Sequence, residues 1–216
     1  MEGEICIVAD ATSSSREKES DQVDNRYSPY DNNGNRTNKT VTVGGLSTST
    51  TYVYDYDNRL TSTSGSIVSA FKYDYRSRRY YRSTPTETNT CVFDGGLCVQ
   101  EYTQTPAIAN LQVEYLRGPD LGGGVGGMVY SIRKDGNQQG QIICSHSDHR
   151  GDVIARSDDN GSLTWFAIYE AYGTRPFEWG TNLDRQKANT KDEEAELGLL
   201  NEGMRYRDLE TGTFLT

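Results

Sequence analysis

The sequence predicts an all-β fold made of consecutive antiparallel β-hairpins, and two observations support this class. The first is a recurring pair in which an aromatic residue is followed directly by Asp and then by a turn. The pairs are Tyr30-Asp31, Tyr54-Asp55, Tyr73-Asp74 and Phe93-Asp94. Successive Asp residues are 24, 19 and 20 positions apart, which suits one hairpin with its link and is too short for a β-α-β unit. Each repeat is therefore expected to be one hairpin.

The second observation is a period of two in the residues around these pairs. Neighbouring side chains of a strand point to opposite faces, so residues two positions apart share a face. One face of the predicted sheet is then lined with rings, namely Tyr52, Tyr54, Tyr56, Phe71, Tyr73 and Tyr75. Since the chain has fifteen Tyr against five Phe and is only 34% hydrophobic, we expect its core to depend on tyrosine.

Residues that favour turns follow these pairs. Gly34 lies in the first turn, Asn58 in the second and Gly95-Gly96 in the fourth. In the first three repeats an Arg opens the return strand, four or five residues after the Asp. These residues are Arg36, Arg59 and Arg78. We predict a local Asp–Arg ion pair across each of these turns, stabilising it by less than about 1 kcal/mol at an exposed site.

The fourth hairpin has a cysteine on each side of its turn. If Asp94-Gly95 forms the turn, Cys91 lies opposite Cys98 at a distance compatible with a disulfide. If the turn is Gly95-Gly96, Cys91 lies opposite Gln100 instead. Earlier hairpins have a ring at the position of Cys91, so we favour reduced thiols packed among rings over a disulfide.

Composition and charge argue against several classes of protein. The net charge of −9 disfavours nucleic-acid binding, which requires clustered Lys and Arg. We interpret the local basic run of Arg76, Arg78, Arg79 and Arg82 as a solvated strand face. No stretch approaches the roughly 18 apolar residues of a membrane-spanning helix. The start of the chain lacks the basic region and long apolar run of a signal peptide, and the sequence leaves the localisation open.

Three regions are predicted along the chain. Residues 1–26 are rich in Ser and charged residues and are expected to be a poorly ordered lead-in. Residues 27–110 contain the hairpin repeats, and residues 111–216 contain further strands. A charged stretch over residues 181–197 interrupts the strand pattern. There, Thr190 and Glu193 could form a capping box for a short helix over residues 191–197, with its acidic residues at a solvated helix start.

Potential metal ligands are densest around one predicted strand. Cys144, His146 and Asp148 would share a face, and His149 follows them. The family resemblance described below implies that the Asp-His pair lies in a structural turn before Gly151, with hydrogen-bonding side chains. We therefore predict no metal and no cofactor, and these His residues lack a nucleophile and an orienting acid at any recognisable spacing.

Five segments together resemble the Rhs, or YD-repeat, family, including the core region that closes its repeats. They are residues 30–37, 54–61, 147–153, 169–173 and 205–216. The repeat motif corresponds to Tyr30, Asp31, Gly34, Arg36, Tyr54, Asp55, Arg59, Tyr73, Asp74, Arg78, Phe93 and Asp94. The core motif corresponds to Asp148, His149, Gly151, Tyr172, Gly173, Arg205, Tyr206, Asp208 and Gly212. Arg150, Leu209 and Thr213 depart from the residues usual in the family, as does Pro29 before the first repeat.

The resemblance implies a hairpin sheet that spirals into a hollow shell, as in bacterial polymorphic toxins, toxin complexes and the teneurins of animals. In the toxins the shell encloses a toxic C-terminal domain, and acids located just past the Phe-Leu-Thr ending cleave the chain to free it. The sequence ends at Thr216, before such a segment, so we expect no catalytic residue in it. Full-length members are often secreted, displayed on the cell surface or delivered by secretion systems.

Three functions follow as hypotheses. The first is a non-enzymatic part of a shell that encloses or presents a toxin or partner, and that associates with other shell segments or with itself through sheet edges. The second is a recognition module that binds glycan or protein through its aromatic face. The third is a self-cleaving aspartyl protease core, which the missing acids disfavour.

Overall fold

The structure is a computed structural model that describes residues 23–134 and 138–216. Fourteen strands form one antiparallel sheet in which each strand pairs with the next one along the chain. They are β1 (Val23–Tyr27), β2 (Asn38–Val43), β3 (Leu46–Tyr54), β4 (Leu60–Gly65), β5 (Ser69–Tyr73), β6 (Arg79–Ser83), β7 (Thr88–Asp94), β8 (Leu97–Thr103), β9 (Leu111–Arg117), β10 (Met128–Arg133), β11 (Ile142–Ser147), β12 (Val153–Ser157), β13 (Leu163–Ile168) and β14 (Phe177–Gly180). The predicted all-β fold of consecutive hairpins is confirmed.

A second, small sheet follows near the end of the chain. Its strands are β15 (Asp192–Glu194), β16 (Leu199–Asn201) and β17 (Tyr206–Asp208), again paired in chain order. Short 3-10 turns occur at Ile108–Asn110 and Ala188–Thr190. Within the described ranges, no helix has the length and apolar character needed to cross a membrane.

The large sheet is open. Strands β1 and β14 are its two edges, and each has one side that no other strand of the described chain covers. Such edges present unpaired backbone groups to which a further strand can pair. In the part of the chain that the structure describes, the large sheet is therefore not closed on itself.

The aromatic–Asp pairs form one recurrent turn. In the second repeat, Asp55 Oδ1 accepts the backbone N–H groups of Asp57 and Arg59 at 3.0 and 2.9 Å, and Arg59 Nη2 lies 2.7 Å from Asp55 Oδ2. The third repeat repeats this geometry, with Arg78 2.6 Å from Asp74. The predicted local ion pairs are confirmed in these two turns. The Asp is a turn former, because its side chain satisfies backbone donors that the turn leaves free.

The first repeat differs, and the predicted Asp31–Arg36 pair is wrong. Asn35, and not Arg36, takes the place of Arg59 and donates to Asp31 at 2.9 Å. Arg36 is one residue further along, so its side chain points to the opposite face of the sheet, where it is buried. The fourth repeat has a two-residue turn at Gly95-Gly96, with Asp94 opposite Leu97.

The same turn continues beyond the predicted repeat region. Asp148 accepts hydrogen bonds from the backbone N–H groups of Arg150 and Asp152. Asp158 accepts them from the backbone N–H groups of Asn160 and Ser162. Strand β8 pairs with β9, so the sheet runs without a break across the predicted boundary at residue 110. The large sheet thus extends through both predicted regions, and the small sheet lies within the second one. At the start of the chain, β1 extends into the predicted lead-in, whose residues 1–22 lie outside the described range.

The predicted short helix over residues 191–197 is wrong. The segment contains strand β15, and Thr190 has a φ of 56°, which no α-helix start allows. Glu193 and Glu194 are buried and not solvated. The physical reason is that cationic side chains of β6 and of the loop between β13 and β14 bind these carboxylates. This tertiary attraction outweighs a local capping preference.

Candidate functional site: the interface between the large sheet and the C-terminal segment

One face of the large sheet, called the inner face here, packs against residues 184–216, called the C-terminal segment. Tyr52 and Phe71 of the inner face are 4% and 3% exposed. They form one apolar cluster with residues of the C-terminal segment, whose members are Leu197, Leu199, Tyr206 and Leu215, together with Leu60 of the sheet. The Phe71 and Tyr206 ring centroids are 5.7 Å apart. The predicted ring-lined face exists, and it is covered by the chain's own end.

This burial overturns the use of the face as an aromatic binding platform. Tyr54 and Tyr73 pack against the same cluster, and their hydroxyl groups donate to backbone carbonyls of Arg36 and Leu60 at 2.8 Å each. Tyr56 and Tyr75 belong to the turns and are exposed. A ligand therefore cannot reach the continuous row of rings that the period of two predicted.

The large sheet curls around the C-terminal segment. Asp208 binds Lys39 of β2, whereas Asp184 binds Arg156 of β12. Ten strand spacings separate β2 from β12, about 48 Å in a flat sheet at about 4.8 Å each. Asp184 and Asp208 are much closer to each other than that. The residue after Asp184, Arg185, lies 3.8 Å from Glu194. Glu194 is on β15, which is two strands from Asp208 on β17 in the small sheet. Only a curved sheet can make both contacts.

Asp208 is the first of three buried carboxylates that join the two parts. Its Oδ2 accepts Arg36 Nη1 at 2.7 Å and Lys39 Nζ at 2.9 Å, and its side chain is 0% exposed. Burial by itself raises the pKa of this carboxyl, but the hydrogen bonds from Lys39 and Arg36 outweigh it and lower the pKa to about 2. Asp208 is therefore ionised at neutral pH.

Glu194 of β15 is the second carboxylate. Both Arg79 and Arg82 of β6 donate to it, and all three side chains are at most 2% exposed. Arg79 also donates to Asp192 at 3.0 Å and to the hydroxyl of Tyr206 at 3.0 Å. Burial raises the pKa of Glu194, and the guanidinium groups of Arg79, Arg185 and Arg82 lower it below its usual value. The basic run that we interpreted as a solvated face is thus partly buried, because its Arg79 and Arg82 bind a buried carboxylate.

Asp184 is the third carboxylate. Its oxygens accept Arg133 Nη1 at 3.0 Å, Ser131 Oγ at 2.5 Å and the guanidinium of Arg156. Next to it the charges are reversed, because Arg185 of the C-terminal segment donates to Glu101 of β8 at 2.8 Å. Opposite charges therefore meet along the interface from β2 to β12. Buried pairs of this kind define a single register, because any shift leaves charges unpaired.

Lys187 is a buried cation near the β13 end of the interface. Its Nζ lies 4.8 Å from the ring of Trp165 and donates to the carbonyl of Asn182 at 3.2 Å. Burial lowers its pKa to about 8. Close by, Arg175 binds Glu193 at 2.8 Å through Nη2. These contacts hold the beginning of the C-terminal segment on the last strands of the large sheet.

The predicted core-motif residues meet at this interface, although they are distant in sequence. Gly212 has a φ of 71°, and a Cβ there would lie 2.5 Å from Tyr172 Cδ1. A Cβ on Gly173, whose φ is 102°, would lie 2.9 Å from Leu209. Arg205 stacks on Phe214 within the C-terminal segment, and Asp208 binds Arg36 as described. Glycine is needed at the two close approaches, since a side chain has no room there.

The core-motif segment over residues 147–153 contacts the C-terminal segment through both backbone and side-chain atoms. The hydroxyl of Thr190 donates to the carbonyl of Gly151 at 2.7 Å, and Asp152 Oδ1 accepts the N–H of Asn189 at 2.7 Å. His149 is exposed in the turn, and His146 forms a 2.8 Å hydrogen bond with Ser157.

Sequence reasoning missed the residues that dominate the site. Arg79, Arg82, Arg133 and Arg156 lie on strands and resemble surface charges when each is read alone. A usable signal exists for Arg79. In the first three repeats the residue whose side chain binds the repeat Asp is Asn35, Arg59 or Arg78. The residue directly after it is Arg36, Leu60 or Arg79, respectively. All three are buried on the inner face. The position after the turn residue is therefore an inner-face position.

Comparison with known proteins shows that this β-sheet fold is shared with chains of solved Tc toxin structures. No family model and no curated protein matches the sequence. Solved structures do: the crystal structure of TcdB2-TccC3-TEV (TM-score 0.59, 14% identity), that of TcdB2-TccC3 (0.59, 13%) and the Tc holotoxin pore of Photorhabdus luminescens with a TccC3 mutation (0.60, 13%). Each match covers 88% of this chain and 12% of the other. At these identities the likeness concerns the fold alone.

Proposed function

We propose that this chain is a non-enzymatic structural segment of a YD-repeat shell, which encloses or presents a toxin or partner. The observation that carries the proposal is the uninterrupted fourteen-strand sheet that curls around its own C-terminal segment. The motif resemblance and the fold shared with Tc toxin chains support it. Since the chain spans 12% of the length of those chains, a complete shell needs many more strands.

The open edges indicate how such a segment would join others. Strand β14 has Phe177 and Trp179 about half exposed beside the unpaired edge. A further strand, from a second copy or from another shell segment, would satisfy the edge backbone and cover these rings.

Sedimentation velocity over a concentration series tests this role. We expect the wild type to associate reversibly. The Trp179→Lys substitution should weaken that association at least about tenfold, a change of about 1.4 kcal/mol, because it places a charge at the edge. Val53→Lys is the matched control, since Val53 is also about half exposed and lies on β3, which is paired on both sides. A wild type that remains monomeric at every concentration contradicts the proposal.

The non-enzymatic part of the proposal has its own test. After long incubation at several pH values, intact mass spectrometry should still give the mass of all 216 residues, 24.1 kDa. Discrete fragments that form at a rate independent of protein concentration would instead establish self-cleavage. That result would favour the protease hypothesis and leave the shell architecture in place.

A further inference from the structure

Three buried side chains that could ligate a metal converge on the inner face at the β7–β8 hairpin. They are Cys91, Cys98 and Glu101, and their Sγ atoms and one carboxylate oxygen all lie within 4.8 Å of one another. In residues 23–134 and 138–216, no other three His, Cys, Asp or Glu side chains meet in this way. The cluster lies apart from Cys144, His146 and His149, the candidates that the sequence indicated.

A β-bulge creates the cluster. The turn is Gly95-Gly96, which without a bulge would place Cys91 opposite Gln100. A register shift between Val92 and Phe93 instead places Cys91 opposite Glu101. An acidic oxygen donor thereby replaces a neutral amide beside the two thiols. Bulges commonly re-aim a side chain at a functional position.

Two neighbours hold the carboxylate in place. The hydroxyl of Tyr115 donates to Glu101 Oε1 at 2.9 Å, and Arg185 Nη2 donates to Glu101 Oε2 at 2.8 Å. Arg185 Nη2 is also 3.9 Å from the Sγ of Cys91. Hydrogen bonds to a ligating carboxylate are the usual outer partners of a metal site, where they fix the orientation of the ligand.

We propose that Cys91, Cys98 and Glu101 bind one thiophilic divalent cation of the Zn²⁺ class. On binding, each thiol releases its proton to solvent and forms one metal–sulfur bond, and the carboxylate supplies a metal–oxygen bond. The charges then balance, because two thiolates and one carboxylate face the divalent ion and the guanidinium of Arg185. Thiolate ligands select soft cations over Mg²⁺ and Ca²⁺.

The structure also provides access for the ion. Cys98 lines a cavity of about 180 Å³ that opens to solvent between the β5–β6 and β7–β8 turns and the C-terminal segment. Three protein ligands leave a fourth tetrahedral position, which water can occupy. The cysteines are free thiols, and Cys98 lies opposite Phe93 and not opposite Cys91, so the hairpin register itself does not impose a disulfide.

Cobalt titration of the full chain tests the site without requiring any ligand variant to fold. The starting protein is the Cys6→Ser/Cys144→Ser variant, purified metal-free under reducing conditions, in which the hairpin thiols are the only ones left. We expect thiolate-to-cobalt charge-transfer absorption that saturates at one Co²⁺ per chain and disappears on addition of Zn²⁺. The Tyr115→Phe substitution should weaken Zn²⁺ binding by about tenfold, as loss of an outer partner does.

Cys91→Ser and Cys98→Ser in the same background should each abolish the charge-transfer band. The proposal is overturned if the folded starting variant shows no such band, or if the band survives in either serine variant. It is also overturned if mass spectrometry shows that the two thiols have lost their hydrogens to a disulfide under these conditions. The test is independent of the shell role, since it measures only metal binding.

Discussion

Asp208 and Arg36 form a buried ion pair at 2.7 Å although 172 positions separate them in the chain. The pair joins the first described repeat to the last strand of the small sheet. It therefore fixes the small sheet against the first described repeat, and its contribution to stability can be measured as a function of pH. The pKa of Asp208 is about 2 in the folded protein, against an ordinary value of 3.8.

We expect Asp208 to contribute stability that is fully present above about pH 4 and is lost as the pH falls through about 2. The sign follows because a carboxyl with a depressed folded-state pKa binds fewer protons folded than unfolded. Urea unfolding of wild type and Asp208→Asn from pH 7 to pH 2 checks this. The stability difference between them should shrink on acidification, and a constant difference would show that ionisation of Asp208 does not matter.

Replacing Glu194 should be far more costly than replacing its neighbour Glu196. Glu194→Gln removes the one fully buried carboxylate that Arg79 and Arg82 share and leaves them only carboxylates that are more exposed. We expect a loss of about 3–5 kcal/mol in the free energy of unfolding. Glu196 also contacts Arg82, but its side chain is 45% exposed, so Glu196→Gln should cost less than about 1 kcal/mol. Equal effects in denaturant titrations would contradict the assigned role of Glu194.

Gly212→Ala should destabilise the protein more than Gly34→Ala does. Both residues have positive φ, 71° and 83°, so each substitution carries a conformational cost of about 1–2 kcal/mol. Only at Gly212 would the new Cβ collide with Tyr172, whereas nothing lies within 4 Å of it at Gly34. The melting temperatures of the two variants compare the costs directly. A Gly34 variant as damaged as the Gly212 variant would rule out the close approach as the cause.

Leu215 should behave as a core residue in spite of its position beside the last residue of the sequence. Its side chain is fully buried in the cluster with Tyr52 and Phe71, and we expect Leu215→Ala to cost about 2–5 kcal/mol. Met204, which is 75% exposed, is the control, and Met204→Ala should change stability by about 0.5 kcal/mol or less. Chemical denaturation measures both, and a silent Leu215 variant would mean that the C-terminal segment is not docked.

Asp55 tests whether the repeated Asp acts as an acceptor or as a charge. Asp55→Asn keeps the oxygen that accepts the N–H groups of Asp57 and Arg59 and loses only the ion pair, so it should cost less than about 1 kcal/mol. Asp55→Ala removes both functions and should cost about 1–2 kcal/mol. If the two variants are equally unstable, the charge and not the turn geometry is what the repeat preserves.

The hairpin repeat could be predicted because its causes are local. Each turn is formed within one short stretch of an aromatic residue, an Asp and a turn residue, in which the Asp accepts the N–H groups two and four positions later. The period of two in the sequence shows which residues share a face of a strand. The turn at Asp148 was predicted from the family resemblance, because no ring precedes that Asp. The prediction of an Asp31–Arg36 ion pair was wrong because Arg36 is five residues after its Asp, whereas Arg59 and Arg78 are four residues after theirs. This one-residue difference places the Arg36 side chain on the opposite face of the strand.

The charged interface could not be predicted, because a charge on a strand has the same local pattern whether it faces water or a carboxylate. The sequence by itself determined the all-β class, the order of the hairpins and the turn-forming role of Asp55 and Asp74. Only the tertiary structure decided that Arg79 and Arg82 are buried on Glu194 and that the rings lie beneath the chain's own end. The physical reason is that the sheet curls, which brings together residues more than a hundred positions apart.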